Sequence, residues 1–196
     1  MTTTPSITQM AAARKGDLTK AMQAVLATER ISADELLAKV AAGQIAIPAN
    51  HNHHSLARGG VGSGLRTKIN VNLGVSEDCC NVEAELNKVR RAIELKADAI
   101  MDLSTFGDTR AFRRRTVELS PVMIGTVPVY DAVARYGKAV GQITVDDFFD
   151  VVRMHAEDGV DFMTIHAGLT QVAVERLRNN RRLTHVVSRG GSLPLD

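Results

Sequence analysis

The chain has 196 residues, 44% of them hydrophobic, with 24 Lys and Arg against 22 Asp and Glu for a net charge of +2. This composition suits one sizeable globular core, and the charge balance argues against a nucleic-acid or membrane-surface binder. Cys79 and Cys80 are adjacent and are the only cysteines, so no disulfide framework is expected. The N-terminus lacks a basic and then apolar leader and no long apolar run occurs, which together fit a soluble, cytoplasmic protein.

Residues 5–43 read as helical. A short helix over Ser6–Arg14 stops near Gly16, and a second over Leu18–Thr28 carries Met22, Val25 and Leu26. Ser32 opens a third with Glu35 placed to complete a capping box, and Gly43 ends it. Ile45–Pro48 reads as extended, because proline disfavours helix at the residue before it. Residues 49–64 form a loop with His51, His53 and His54 followed by Gly59, Gly60, Gly62 and Gly64.

From residue 65 strands and helices alternate: strand 65–73, helix 81–96 with Val82, Leu86, Val89 and Ile93 at helical spacing, strand 98–104, helix 108–118 and strand 121–126. A short helix starts at Pro128, and Thr144 caps a helix over 144–158 with Asp146 and Asp147 in its first turn. Strand 160–166, helix 170–178 and strand 184–188 complete the pattern. Such alternation predicts an α/β fold with a parallel sheet and helical crossovers. Five strands fit either an open doubly wound sheet or the first part of an eight-stranded barrel. The absence of G-x-G-x-x-G after the first strand weighs against a dinucleotide fold.

Parallel strands joined by helices point one way, so residues after their C-terminal ends share one face, where α/β enzymes place their chemistry. His166, after Phe162–Ile165 and before Ala167-Gly168, stands out on that face. Ser188-Arg189-Gly190-Gly191 offers a hydroxyl, a guanidinium and approachable backbone N–H groups, a candidate phosphate site. Asn72, Asp102, Ser104, Thr105 and Tyr130 are placed on the same face, whereas Met101 by itself reads as core. His51–His54 invites a metal reading but lacks neighbouring carboxylate or thiolate ligands, so loop hydrogen bonding or a substrate contact from a lid is favoured. The basic run from Arg110 to Arg115 reads as the solvated face of a helix.

Taken together, several segments resemble one family. They are Thr8-Gln9-Met10 with Ala13–Gly16, Ile47–Asn50, Lys68–Gly74, Ile100–Thr105, Ile124–Tyr130, Thr164–Gly168 and Val187–Ser192. In order and spacing they are similar to the phosphomethylpyrimidine synthase (ThiC) family. The resemblance implies a (β/α)8 TIM-type barrel and radical S-adenosylmethionine chemistry on 5-aminoimidazole ribotide. It also implies a [4Fe–4S] cluster, S-adenosylmethionine and a divalent metal, zinc or iron, in the full-length family. The family's ribotide contacts carry over onto Asn72, Met101, Tyr130, His166, Ser188, Arg189 and Gly190.

Two branches share this substrate. The runs Asp102–Arg113, Gly62–Lys68 and His155–Phe162 look more like 5-hydroxybenzimidazole synthase, a lyase of anaerobic cobamide lower-ligand (cobalamin) biosynthesis, than like the thiamine branch. The family's three-cysteine cluster motif and metal-binding histidines find no match in the chain, which ends at Asp196. The resemblance therefore implies no metal ligands within these residues and places them beyond Asp196, so a chain truncated before them and inactive alone is expected. The expected organisation is a helical segment with its His/Gly-rich loop over 1–64 and an incomplete barrel domain over 65–196. A partial barrel has an open edge, which predicts a homodimer or other self-association. The alternatives are phosphomethylpyrimidine synthase itself, a non-catalytic ribotide-binding fragment and, more distantly, an open-sheet phosphate-binding protein.

Overall fold

The computed structural model describes residues 8–168 and 170–180. Three short helices come first: α1 (Gln9–Arg14), α2 (Lys20–Thr28) and α3 (Ala33–Ala41). Thr8, Thr19 and Ser32 cap them, each side chain accepting the backbone N–H three residues on. Glu35 does not reach back to Ser32 as the capping-box reading expects; its carboxylate pairs with Lys39 at 2.7 Å, one turn along the same face. Met22, Val25, Leu36, Val40 and Ile45 close a small core among these helices. β1 (Ile45–Ala46) then pairs antiparallel with β2 (Val61–Gly62), a partner that the loop assignment over 49–64 misses.

The main sheet holds β3 (Asn70–Leu73), β4 (Ala99–Asp102), β5 (Met123–Thr126) and β6 (Phe162–Met163), all parallel and ordered sequentially β3-β4-β5-β6. A doubly wound sheet reverses its direction of growth at a switch point; these four strands show no reversal. The crossovers are α4 (Val82–Glu94), α5 (Thr109–Leu119), and the pair α6 (Pro128–Tyr136) with α7 (Val145–Glu157). Asn81, Asp108 and Thr144 cap α4, α5 and α7. α8 (Gln171–Asn179) follows β6. The strand expected over 160–166 is only two residues long, because beyond Met163 the chain leaves the edge of β5 after the Thr164 N–H bond to Thr126 O at 2.9 Å. The strand expected over 184–188 lies outside the described residues, as does Asp196.

Strand alternation divides the sheet into two faces. Leu73, Ile100 and Ile124 turn toward Leu86, Val89, Phe112 and Val117 of α4 and α5, forming the principal core. Full burial of such side chains is worth about 1.5–3 kcal/mol each. On the other face, Ala99 and Met123 at the starts of β4 and β5 pack with Leu56, Ala49 and Phe162. The 49–56 loop therefore closes the N-terminal end of the face that the helices leave uncovered.

That loop is held by specific polar contacts. Asn50 Nδ2 donates to Ala156 O and Val160 O at 2.7 and 2.9 Å, and Asn52 Nδ2 donates to Glu157 O, which ties the loop to carbonyls at and just beyond the end of α7. His53 is buried, with Nδ1 2.6 Å from Asp161 Oδ2 and Nε2 2.7 Å from Ser120 O. Both ring nitrogens thus face acceptors, the arrangement of an imidazolium donating twice. Burial pulls its pKa down, the bonds to Asp161 and Ser120 push it up, and the net direction is upward. His53 is therefore a hydrogen-bonded clamp at the opposite end of the strands from the predicted site, which matches the loop hydrogen-bonding alternative for this segment rather than a substrate-touching lid.

The reading of the basic run as a solvated face is corrected at Arg113 alone. Arg113 is 1% exposed and donates to Asp131 Oδ2 at 3.1 Å and Asp158 Oδ2 at 2.9 Å. Arg110, one turn earlier, donates to both oxygens of Asp158. Helical spacing buries Arg113, while Arg110 and Arg115, with side chains 43% and 47% exposed, meet Asp158 and Glu83 nearer the surface. No helix among the described residues is long and apolar enough to cross a membrane.

Candidate functional site

The C-terminal half of the uncovered face collects the candidate residues. Asn72 and Met101 are register partners on neighbouring strands, and Gly125 and Phe162 continue the same row across β5 and β6. Gly125 is required by packing: a Cβ there would collide with the Phe162 ring, which lies across the sheet at this level. Asn72 is exposed, and its Oδ1 accepts from Asn70 Nδ2 at 2.7 Å. That bond leaves the Asn72 Nδ2 as a donor on the face. Met101 is half-buried, and the Thr164 hydroxyl lies 3.9 Å from its sulfur.

Tyr130 arrives in the first turn of α6 directly after β5, and His166 arrives three residues after β6. Their rings sit 6.2 Å apart at 38°. Tyr130 is buried and His166 is exposed. The fold thus brings an amide, a thioether, a phenol and an imidazole to the ends of four neighbouring strands. Such a set offers hydrogen bonds to hydroxyls and π-faces to a planar heterocycle. Ser188, Arg189 and Gly190 lie outside the described residues.

Two residues expected on this face are not there. Asp102 pairs in register with Leu73 and Thr126, so it points with them toward the helices and is buried. Ser104 is buried with it, donating its N–H and hydroxyl to Asp102 Oδ1 at 2.9 and 2.5 Å and accepting the Val75 N–H at 3.0 Å. Burial raises the Asp102 pKa to about 6, against the opposing pull of the Ser104 bonds and Arg113. The close approach behind this knot needs Gly74, at φ +143°, where a Cβ would stand 2.6 Å from Ser104 N.

Sequence reasoning missed a buried polar network behind the site. Asp131 receives Thr109 Oγ1, Arg113 Nη1 at 3.1 Å and His155 Nε2 at 2.8 Å. His155 Nδ1 lies 2.8 Å from Thr126 Oγ1. Burial alone would raise the Asp131 pKa, but the donors from His155, Thr109 and Arg113 outweigh it and hold the pKa at about 2. His155 shifts the other way, below its ordinary value, because burial and the Arg113 charge outweigh Asp131. It is thus a neutral ring, donating at Nε2 and accepting the Thr126 hydroxyl at Nδ1. The only sequence signal was positional: Arg113, Asp131 and His155 each fall on the inward stripe of their helix.

A model of the radical SAM ThiC family matches residues 8–196. Over 186 residues the chain is 59% identical to a protein named phosphomethylpyrimidine synthase from Clostridium tetani and 60% identical to one of the same name from Alkaliphilus metalliredigens. Each match takes in 95% of this chain but 41% and 43% of the relative. The chain therefore spans about two-fifths of the length of the curated relatives it matches. Their names lie on the pyrimidine side and lend no support to the benzimidazole branch suggested by residues 102–113.

Proposed function

We propose that this chain, which belongs to the radical SAM ThiC family, forms the ribotide-facing part of a phosphomethylpyrimidine synthase of thiamine biosynthesis. The observation that carries this reading is the gathering of Asn72, Met101, Tyr130 and His166 at the open end of one sheet face. In it, the Asn72 amide bonds a ribose hydroxyl, Met101 supplies apolar contact, and Tyr130 and His166 flank the imidazole ring. Ser188, Arg189 and Gly190 hold the phosphate, a role suited to a guanidinium beside glycine backbone. The sequential order of β3–β6 supports reading them as staves of a (β/α)8 barrel, with α1, α2 and α3 closing a small core of their own.

The family implies an iron–sulfur cluster and S-adenosylmethionine in the full-length protein. No group of three or more His, Cys, Asp and Glu among the described residues could hold a metal ion. Exposed, adjacent Cys79 and Cys80 do not make the three spaced thiolates such a cluster takes. Those residues do not fit the cluster, and its chemistry is assigned to none of them. In this reading the metal and cluster ligands belong to the part of the relatives' length that this chain does not match.

Calorimetric titration with 5-aminoimidazole ribotide tests the site. Binding is expected, with Asn72→Ala and Arg189→Ala each weakening it about tenfold, roughly 1.4 kcal/mol. Absence of binding, or variants that bind as the parent does, defeats the assignment. The branch is tested by replacing the matching segment of the Clostridium tetani relative with this chain. Growth of a thiamine-pyrimidine auxotroph supports the pyrimidine reading, and release of 5-hydroxybenzimidazole overturns it.

A further inference from the structure

We infer that His155 is a positioning residue that staples the β5-to-α6 turn and thereby sets Tyr130 against His166. The turn needs such a device because α6 starts without a side-chain cap: its N-cap is Val127, followed by Pro128. The local sequence supplies no polar group to fix where the first turn begins. His155 supplies it from α7. One ring nitrogen meets Thr126, the last residue of β5, at 2.8 Å, and the other meets Asp131, in the first turn of α6, at 2.8 Å. Thr126 and Asp131 bracket the four residues Val127–Tyr130, so a single rigid imidazole spans the segment that carries Tyr130.

Both anchors are themselves held. Asp131 also receives Thr109 and Arg113 of α5, and Arg113 is tied to Asp158 at the end of α7. Thr126 sits in register with Asp102 and Met163 on the neighbouring strands. The staple therefore references the Tyr130 ring to α5, α7 and the sheet, and His166 leaves the sheet only three residues after Met163. His155 is 1% exposed and lies on the helix side of β5, away from the open face, so its effect on a ligand passes through Tyr130. The functional consequence rests on the ribotide-binding reading, but the geometric consequence does not.

The test uses His155→Phe, which keeps ring bulk and removes both bonds, and Thr126→Val, which removes only one end of the staple. The first measurement is ligand-free: NMR contacts between the Tyr130 and His166 ring protons. These contacts are expected in the parent protein and lost or weakened in either folded variant. Their persistence in a folded variant, or their absence from the parent, overturns the inference. If His155→Phe does not fold, Thr126→Val alone decides on the same criterion.

The second measurement is a double-mutant cycle on 5-aminoimidazole ribotide affinity. His155→Phe, or Thr126→Val in its place, is expected to weaken binding about tenfold alone and by less than twofold in a Tyr130→Ala background. A purely structural role lowers affinity equally in both backgrounds, and that result overturns the inference. A parent protein that binds no ribotide refutes the site assignment instead, and the ring-contact measurement then judges the staple by itself.

Discussion

Replacing His53 by Gln tests the clamp under the sheet. The substitution removes a buried pair in which His53 Nδ1 stands 2.6 Å from Asp161 and Nε2 stands 2.7 Å from Ser120 O. Breaking a buried pair costs about 3–5 kcal/mol when a charge is left uncompensated. Here the stranded groups keep partners: Asp161 still receives Asn50 N at 2.9 Å and Ile124 N at 2.8 Å, and Ser120 O still receives the Ser55 hydroxyl at 2.7 Å. The loss should therefore fall at the lower end, about 3 kcal/mol. For a chain of this size that corresponds to a drop of roughly 6–12 °C in melting temperature.

The pH dependence follows from the direction of the shift. His53 titrates higher in the folded chain than in the unfolded one, so its contribution is complete below about pH 6.5 and declines as pH rises through the folded value. Urea unfolding of parent and variant from pH 5.5 to 9.5 measures the gap between them. The gap should be widest at the acidic end and narrow toward the alkaline end. A gap below about 1 kcal/mol at pH 6, or one that does not change with pH, refutes a doubly donating imidazolium at this position.

Gly74→Ala places a methyl carbon 2.6 Å from Ser104 N and 2.8 Å from Leu103 C, at a φ of +143°. Backbone on both sides leaves little room to yield, so a loss of about 1–3 kcal/mol is expected by chemical denaturation. Faster hydrogen exchange at the Leu103 and Thr105 amides, which bond Leu73 and Val75, should accompany it; unchanged exchange there would count against the close approach. Asp102→Asn acts in the other direction. Its folded pKa near 6 against an ordinary 3.8 means that stability is lost as pH rises between those values, about 3 kcal/mol in all. The Asn variant should therefore lack this decline and be at least as stable as the parent at pH 7.5; a variant less stable there contradicts the assignment.

The alternation of strands and helices was legible because periodicity and caps are local. Of the stripe Val82, Leu86, Val89 and Ile93, Leu86 and Val89 are buried and Ile93 packs against the same core while Val82 stays exposed, and the caps Ser32 and Thr144 stand where the chain marks them. Strand order was not legible, since the same alternation feeds an open sheet or a barrel wall, and pairing across 20 or more residues leaves no local trace. The site divides in the same way. Asn72 and Met101 share a face because they are register partners. Asp102 follows Met101 by one residue and is thereby turned to the opposite face, into the core.

The arginine run shows the limit of reading charge from composition. Arg110, Arg113 and Arg115 look alike in sequence, yet Arg113 is sealed against Asp131 and Asp158 while Arg115 meets Glu83 near solvent. Helical phase separates them, and their partners lie on other helices. His155 likewise did not look like a staple, and for His53 loop hydrogen bonding was legible but its partners were not, because the groups they meet come from distant segments.

By itself, then, the sequence determined most of the strand and helix segments among the described residues, the capped starts of α3 and α7, and which family the ordered motifs resemble, because these follow from nearest-neighbour chemistry and local spacing. Tertiary structure alone decided the order of the strands, the face each strand residue takes, and which ionisable side chains are buried with partners. Those outcomes depend on contacts between residues far apart in the chain, where a shift of one position in register moves a carboxylate from the open face to the core.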